Sequence, residues 1–130
     1  MSRELKFRVW DKENKKYVSP SHIAINGNGI LLITYSGMYL DFENEHYAHL
    51  SQKYVVQQYT GLKDKNGVEI YEGDIVIATS ERYVNGNFVG KVIFDEGCFL
   101  TWINKNDIRQ IWGEDNIEVI GNIFENKDLL

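Results

Sequence analysis

Gln57-Gln58-Tyr59-Thr60-Gly61-Leu62-Lys63-Asp64-Lys65-Asn66-Gly67-Val68-Glu69-Ile70-Tyr71-Glu72-Gly73-Asp74-Ile75-Val76-Ile77-Ala78 is the stretch on which the fold turns. Tyr54 to Tyr59, rich in β-branched and aromatic residues, reads as a strand. Lys63 to Gly67 then reads as a turn, because the Asn66-Gly67 pair suits left-handed backbone. Val68 to Tyr71 leads back out, and Glu72-Gly73-Asp74 is a second tight turn whose aspartate can accept from nearby backbone donors. Ile75 to Ala78 is a strand that opens through Gly-Asp. Two turns between three short strands imply an antiparallel β fold.

The amino-terminal side continues this reading. Leu5, Phe7 and Val9 alternate with Lys6 and Arg8, the period of a half-buried strand. Asp11 to Lys16 is a polar hairpin turn, and Pro20 starts a loop. Ile23 to Ile25 runs into Asn26-Gly27-Asn28-Gly29, whose two Asn-Gly pairs predict the positive φ of a primed hairpin turn. Ile30 to Tyr35 and Met38 to Phe42 follow as strands around Gly37. Glu43 to Lys53 is the one helix candidate, with Phe42, His46, Leu50 and Tyr54 along one face.

On the carboxy-terminal side, Asn85-Gly86 precedes a strand over Phe88 to Phe94, Asp95-Glu96-Gly97 is the next turn, and Cys98 to Ile103 the next strand. Further strands fit Ile108 to Trp112 and Ile117 to Ile120, and Asn122 to Leu130 forms a tail. Eleven glycines against one proline agree with short strands and tight turns. The expected architecture is mainly β: a small SH3-like barrel or sandwich in the second half, covered by an amino-terminal β-rich segment, with at most one short helix. The 130 residues make one domain, subdivided into residues 1–53 and a barrel-like core over 54–130.

Charge and cysteine content narrow the function classes. A net charge of −5 repels a phosphate backbone, so nucleic-acid binding requires a segregated basic face. Cys98 is the single cysteine and forms no internal disulfide, which points to a reducing cytoplasm. The longest apolar run, Gly29 to Tyr35, is far short of the roughly 20 residues of a membrane helix.

Ile75 to Ala78, Val92 to Phe94 and Cys98 to Ile103 are apolar on both faces, interrupted only by Thr101. A strand open to water on one side alternates. The favoured account is cover by the chain's own amino-terminal half, and the second is a homo-oligomer interface.

Residues with chemical potential have bland explanations close at hand. His46 and His49, beside Asp41, Glu43 and Glu45, would share a helix face, but no cysteine partners accompany them and a solvated polar segment is the simpler reading. Cys98 in an apolar strand reads as a small buried hydrophobe rather than a nucleophile. Glu69, Glu72, Asp74, Asp95 and Glu96 stand at turns, where carboxylates face water or cap backbone donors. No phosphate loop, dinucleotide fingerprint or nucleophile elbow is present. No catalytic, cofactor or metal site is therefore assigned. Trp10, Trp102 and Trp112, with Tyr54, Tyr59, Tyr71 and Tyr83, are mostly core candidates, some of which can anchor a partner. Lys12, Lys15, Lys16, Lys63 and Lys65 mark two basic turns, read as solvated hairpins before phosphate contacts.

The middle segment also resembles a known family. Gln58 to Gly67 followed by Glu69 to Val76 looks like the hallmark of the YopX family of phage and prophage proteins. Phe7-Arg8-Val9-Trp10-Asp11 resembles the family's opening. Ile117 to Asn126 followed by Leu129-Leu130 resembles its close, with small departures at Val9 and Lys127. The resemblance implies a protein of temperate phages of mainly Gram-positive bacteria, and brings with it no activity and no catalytic residues. The expected function is a non-enzymatic accessory role in the host cytoplasm, exercised by binding a host or phage protein. A nucleic-acid-binding module using the basic turns is the alternative.

Overall fold

A computed structural model describes residues 4–35, 38–41, 52–79, 87–104, 107–110 and 116–130. Twelve strands fall in them: β1 Phe7–Asp11, β2 Lys16–Tyr17, β3 Ile23–Ile25, β4 Leu31–Tyr35, β5 Met38–Asp41, β6 Tyr54–Lys63, β7 Glu69–Tyr71, β8 Asp74–Thr79, β9 Asn87–Asp95, β10 Cys98–Asn104, β11 Asp107–Gln110 and β12 Ile117–Asn122. The pairs β1–β2, β3–β4, β4–β5, β6–β7, β8–β9, β8–β12, β9–β10 and β10–β11 are antiparallel, and the helical content among the described residues is two 3₁₀ turns, Pro20–His22 and Lys127–Leu129. The fold is mainly β, as the turn chemistry predicts. The helix candidate Glu43–Lys53 lies outside the described residues apart from Gln52 and Lys53, which form a turn.

Two compact units are present, Phe7–Gln57 and Met1–Lys6 with Gln58–Leu130. In the first, β1 and β2 pair through Trp10↔Tyr17, and β3, β4 and β5 form a meander in the order of the chain. Val9 and Ile33 are its buried centre, with Val18, Ile23, Leu31 and Tyr54 packed around them. Trp10 meets Tyr17 edge to face at 4.9 Å. The alternation in β1 breaks at its end, where Val9, Trp10 and Asp11 are all buried. Leu5, expected on the inner side, is 60% exposed because the strand begins only at Phe7.

The Asn26–Gly29 loop departs from the expected primed turn. Gly29, at φ 80°, is its one residue with positive φ. The Asn26 side chain accepts the N–H groups of Asn28 and Ile30 at 2.9 and 3.1 Å, and the one positive φ of the loop falls at Gly29. The primed geometry occurs instead at Glu96 and Gly97, with φ 50° and 81°, between the paired residues Asp95 and Cys98.

In the second unit, β8 to β12 form a sheet in the order β11-β10-β9-β8-β12. Ile70, Val76, Val92 and Ile117 are its buried core, with Ala78 and Val119 against them. Each such aliphatic side chain contributes about 1.5–3 kcal/mol by leaving water. Gly90 is packed so closely that a Cβ there would stand 2.7 Å from the Trp102 carbonyl oxygen. β6 runs four residues past the predicted Tyr59, through a bulge between Tyr59 and Lys63. Thr60 makes that extension possible: its hydroxyl donates to the Ile70 carbonyl at 2.7 Å and accepts from Leu62 N–H at 3.1 Å, replacing ladder bonds lost in the bulge.

Candidate functional site

The segment that carries the family resemblance is a set of interlocked turns. Asp64 is its centre. One carboxylate oxygen accepts the N–H groups of Asn66 and Val68 at 2.8 and 2.9 Å, and the other accepts Val119 N–H on β12 at 2.9 Å. Gly67, at φ 81°, closes the turn by donating to the Asp64 carbonyl. Burial would push the Asp64 carboxyl up, but the three backbone donors and the Lys65 ammonium outweigh it and hold the group below the usual carboxylate range.

Asn26 to Ile30 repeats this geometry. Asn26 accepts from residues two and four ahead of it and Gly29 N–H returns to the Asn26 carbonyl, as Gly67 N–H does to Asp64. The shared pattern is Asx-x-Asn-Gly followed by a β-branched residue. Only Asp64 has a second oxygen placed to accept a distant backbone donor, a role the Asn26 amide nitrogen could not fill.

Other polar residues of the motif are likewise engaged with the backbone. Asp74 accepts Tyr71 N–H at 2.7 Å. Glu72 joins Gln58 through its own N–H at 2.9 Å and its carboxylate at 3.4 Å. Glu69 pairs with Lys6 at 3.0 Å, and hydrogen bonds to Glu69 and Glu4 hold the Lys6 ammonium above its usual range. At the carboxy-terminal end, Asn122 Oδ1 accepts from Phe124 and Glu125 N–H while Asn126 Oδ1 accepts from Asn122 N–H. In the first unit Asp11 caps Glu13 and Asn14 N–H, and it faces Lys53 at 3.5 Å.

One face of the five-stranded sheet, opposite the side that carries Val76 and Val92, holds a run of apolar side chains. The register puts Ile77 and Val89 side by side, then Ile93 and Leu100, then Lys91 with Trp102 and Trp102 with Ile108. Ile75 on this face is fully buried, the residues from Ile77 to Trp102 are half-buried, and Ile108 is 46% exposed. Exposure therefore grows toward β11. Lys91 lies over the Trp102 ring at 4.9 Å from its centroid, which keeps a cation beside the aromatic surface. At the β9–β10 hairpin tip, Phe94 packs edge to face on Phe99 at 5.0 Å yet is 53% exposed.

Several sequence expectations are placed by this geometry. Trp10 and Tyr59 are buried, Trp102, Tyr54 and Tyr71 half-buried, and Trp112 and Tyr83 lie outside the described residues. His46, His49, Glu43 and Glu45 also lie outside them, and so do the side chain of Asp41 and the Asn85-Gly86 turn. The two basic turns belong to different units, Lys12, Lys15 and Lys16 to the first and Lys63 and Lys65 to the second, where Lys65 pairs with Glu118 at 3.2 Å. Cys98 is exposed, not buried as its apolar strand suggests, because it is the first residue after the hairpin turn. The sequence reading rested on Asn66-Gly67 and missed Asp64; the Asx-x-Asn-Gly spacing could have pointed to its turn, but its bond to Val119 has no local signature.

Among the described residues, no helix is long and apolar enough to cross a membrane. No curated protein matches the chain. It is similar to protein EF1440 from Enterococcus faecalis at 29% identity and a TM-score of 0.63, covering 99% of each chain. It is also similar to protein yopX from Bacillus subtilis at 28% identity and a TM-score of 0.61, over 95% of this chain and 96% of that one. The family model described as YopX protein matches residues 6–130, and on that match the chain belongs to the YopX family.

Proposed function

We propose that this chain is a non-enzymatic phage or prophage accessory protein that binds another protein through the outer face of its five-stranded sheet. The observation behind this reading is the graded apolar surface from Ile77 to Ile108, with the Lys91–Trp102 pair at its open end. Half-buried aromatic and aliphatic side chains gathered on one face, with Ile108 exposed at its edge, favour protein contact. The motif's carboxylates are engaged in holding backbone donors or Lys6, which favours binding over acid–base chemistry.

The test compares immobilised wild-type protein with an Ile93→Glu variant in lysate from an induced lysogen. A partner retained by the wild type and lost from a variant of unchanged urea midpoint supports the reading. Capture of no specific partner, or equal capture by both proteins, overturns it. Salt-dependent binding of short DNA or RNA at low ionic strength would favour the nucleic-acid alternative instead.

A further inference from the structure

Three Asn-Gly pairs fall in the described residues: Asn26-Gly27, Asn28-Gly29 and Asn66-Gly67. At such a pair the backbone nitrogen of the glycine can attack the asparagine side-chain carbonyl, because no Cβ stands in its way. The fold treats the three unequally. Gly29 N–H donates to the Asn26 carbonyl at 2.9 Å, and Gly67 N–H donates to the Asp64 carbonyl at 3.0 Å. Both nitrogens are held by the bond that closes their turn. Among the described residues, Gly27 N–H has no acceptor, and nothing lies within 4 Å of where a Cβ on Gly27 would stand.

The carbonyls under attack differ as well. Asn26 Oδ1 accepts two backbone N–H groups, from Asn28 at 2.9 Å and from Ile30 at 3.1 Å. Attack on Cγ places negative charge on that oxygen, and two fixed backbone donors aimed at it are the arrangement that stabilises an oxyanion. Among the described residues, no donor reaches Oδ1 of Asn28 or Asn66, and the Asn66 amide is tied through its nitrogen to Glu118 at 3.4 Å. Asn26 is exposed, so ammonia can leave and water can enter.

We infer that Asn26 is a self-modification site, at which the turn built by its own side chain promotes its deamidation. The Gly27 nitrogen bonds to Asn26 Cγ, the Cγ–Nδ2 bond breaks, and the glycine's proton ends on the departing ammonia by way of solvent. The succinimide ring that results takes up one water. Water that breaks the new N–Cγ bond leaves aspartate, and water that breaks the original peptide bond leaves isoaspartate, whose main chain runs through Cγ. Aspartate keeps an acceptor for both donors, as Asp64 does at the matching position of its turn. Isoaspartate lengthens the connection between Ile25 and Leu31, which are paired across this hairpin, and should loosen it. The inference goes beyond the partner-binding reading and uses none of its residues.

The full chain, incubated folded at mildly alkaline pH over days to weeks, tests this by peptide mass spectrometry at each asparagine. A parallel sample unfolded in guanidinium chloride serves as reference. Folded Asn26 should convert about tenfold or more faster than Asn28 and Asn66, and the three rates should draw together in the unfolded chain. Isoaspartate should accompany aspartate at position 26. Gly27→Ala should slow conversion of Asn26 about tenfold or more, since its Cβ obstructs the attacking nitrogen. Folded Asn28 or Asn66 converting as fast as Asn26, or the same ranking with and without denaturant, would overturn the inference. So would aspartate forming without isoaspartate, or Gly27→Ala converting at the wild-type rate. The comparison of folded and unfolded wild type needs no variant, so the inference stays testable whatever the stability of Gly27→Ala.

Discussion

Asp64 and Val119, fifty-five residues apart, are joined by a 2.9 Å bond from the Val119 backbone N–H to the Asp64 carboxylate. The same side chain holds its own turn with its other oxygen. One buried carboxylate thus fixes a local reversal and closes the edge strand β12. Asp64→Asn keeps an acceptor for the turn but offers no second oxygen to Val119. We expect a loss of about 2 kcal/mol in urea unfolding, since an ionic acceptor is removed and a backbone donor is left unpaired. Asn26→Asp, at the parallel turn, should change stability by less than about 0.5 kcal/mol. Equal losses at the two sites would contradict the assignment.

The depressed carboxyls of Asp64 and Asp11 set the acid response. At Asp11, burial acts upward, while bonds from Asn14 and Glu13 and the charge of Lys53 prevail and hold the group down. Groups lowered in the folded state stabilise it above the unfolded-chain value, about 4 for aspartate, and lose that contribution as pH falls toward their folded values. Urea midpoints should therefore decline below about pH 4. The Asp64→Asn curve should be flatter there and converge on the wild type at the acid end. A parallel offset at every pH would show that Asp64 does not carry the effect.

Glu96 adopts φ 50° beside Gly97 at 81°, a conformation that asparagine tolerates better than glutamate. Glu96→Asn should raise stability by about 0.5–1 kcal/mol, read as a higher midpoint in thermal unfolding. A lower midpoint would mean that the glutamate side chain contributes more than its backbone costs.

Gly90 and Gly27 should respond in opposite ways to alanine. At Gly90 a Cβ would press on the Trp102 backbone at 2.7 Å and on Thr101 Cγ2 at 2.8 Å, so Gly90→Ala should cost about 1–3 kcal/mol. At Gly27 nothing lies within 4 Å and φ is not positive, so alanine should be neutral or gain up to about 1 kcal/mol. Circular dichroism melts of the two variants decide the matter.

Local chemistry made much of this fold legible. Asn66-Gly67, Asp95-Glu96-Gly97 and Asn26 to Gly29 each satisfy needs of a few neighbouring residues, so their reversals could be read from short windows. The conformation at Asn26 could not be read as a primed turn, because its side chain competes with the backbone for the same N–H groups. Likewise, Thr60 carried β6 past its expected end only because Ile70, on a neighbouring strand, offered a carbonyl.

By itself, the sequence determined the β class, the position of most turns and the kinship with the YopX family, since these depend on residue types at fixed short spacings. Tertiary structure decided how the edge strand β12 is held and which of the apolar side chains stay exposed. Val119 reaches Asp64 and Ile117 reaches Lys65 only after strands distant in the chain have paired. Cys98 opens an apolar run in the sequence, and its exposure follows from its place at a hairpin tip. Hydrophobic patterning specifies that a surface is available to be buried. Strand order determines what remains to cover it.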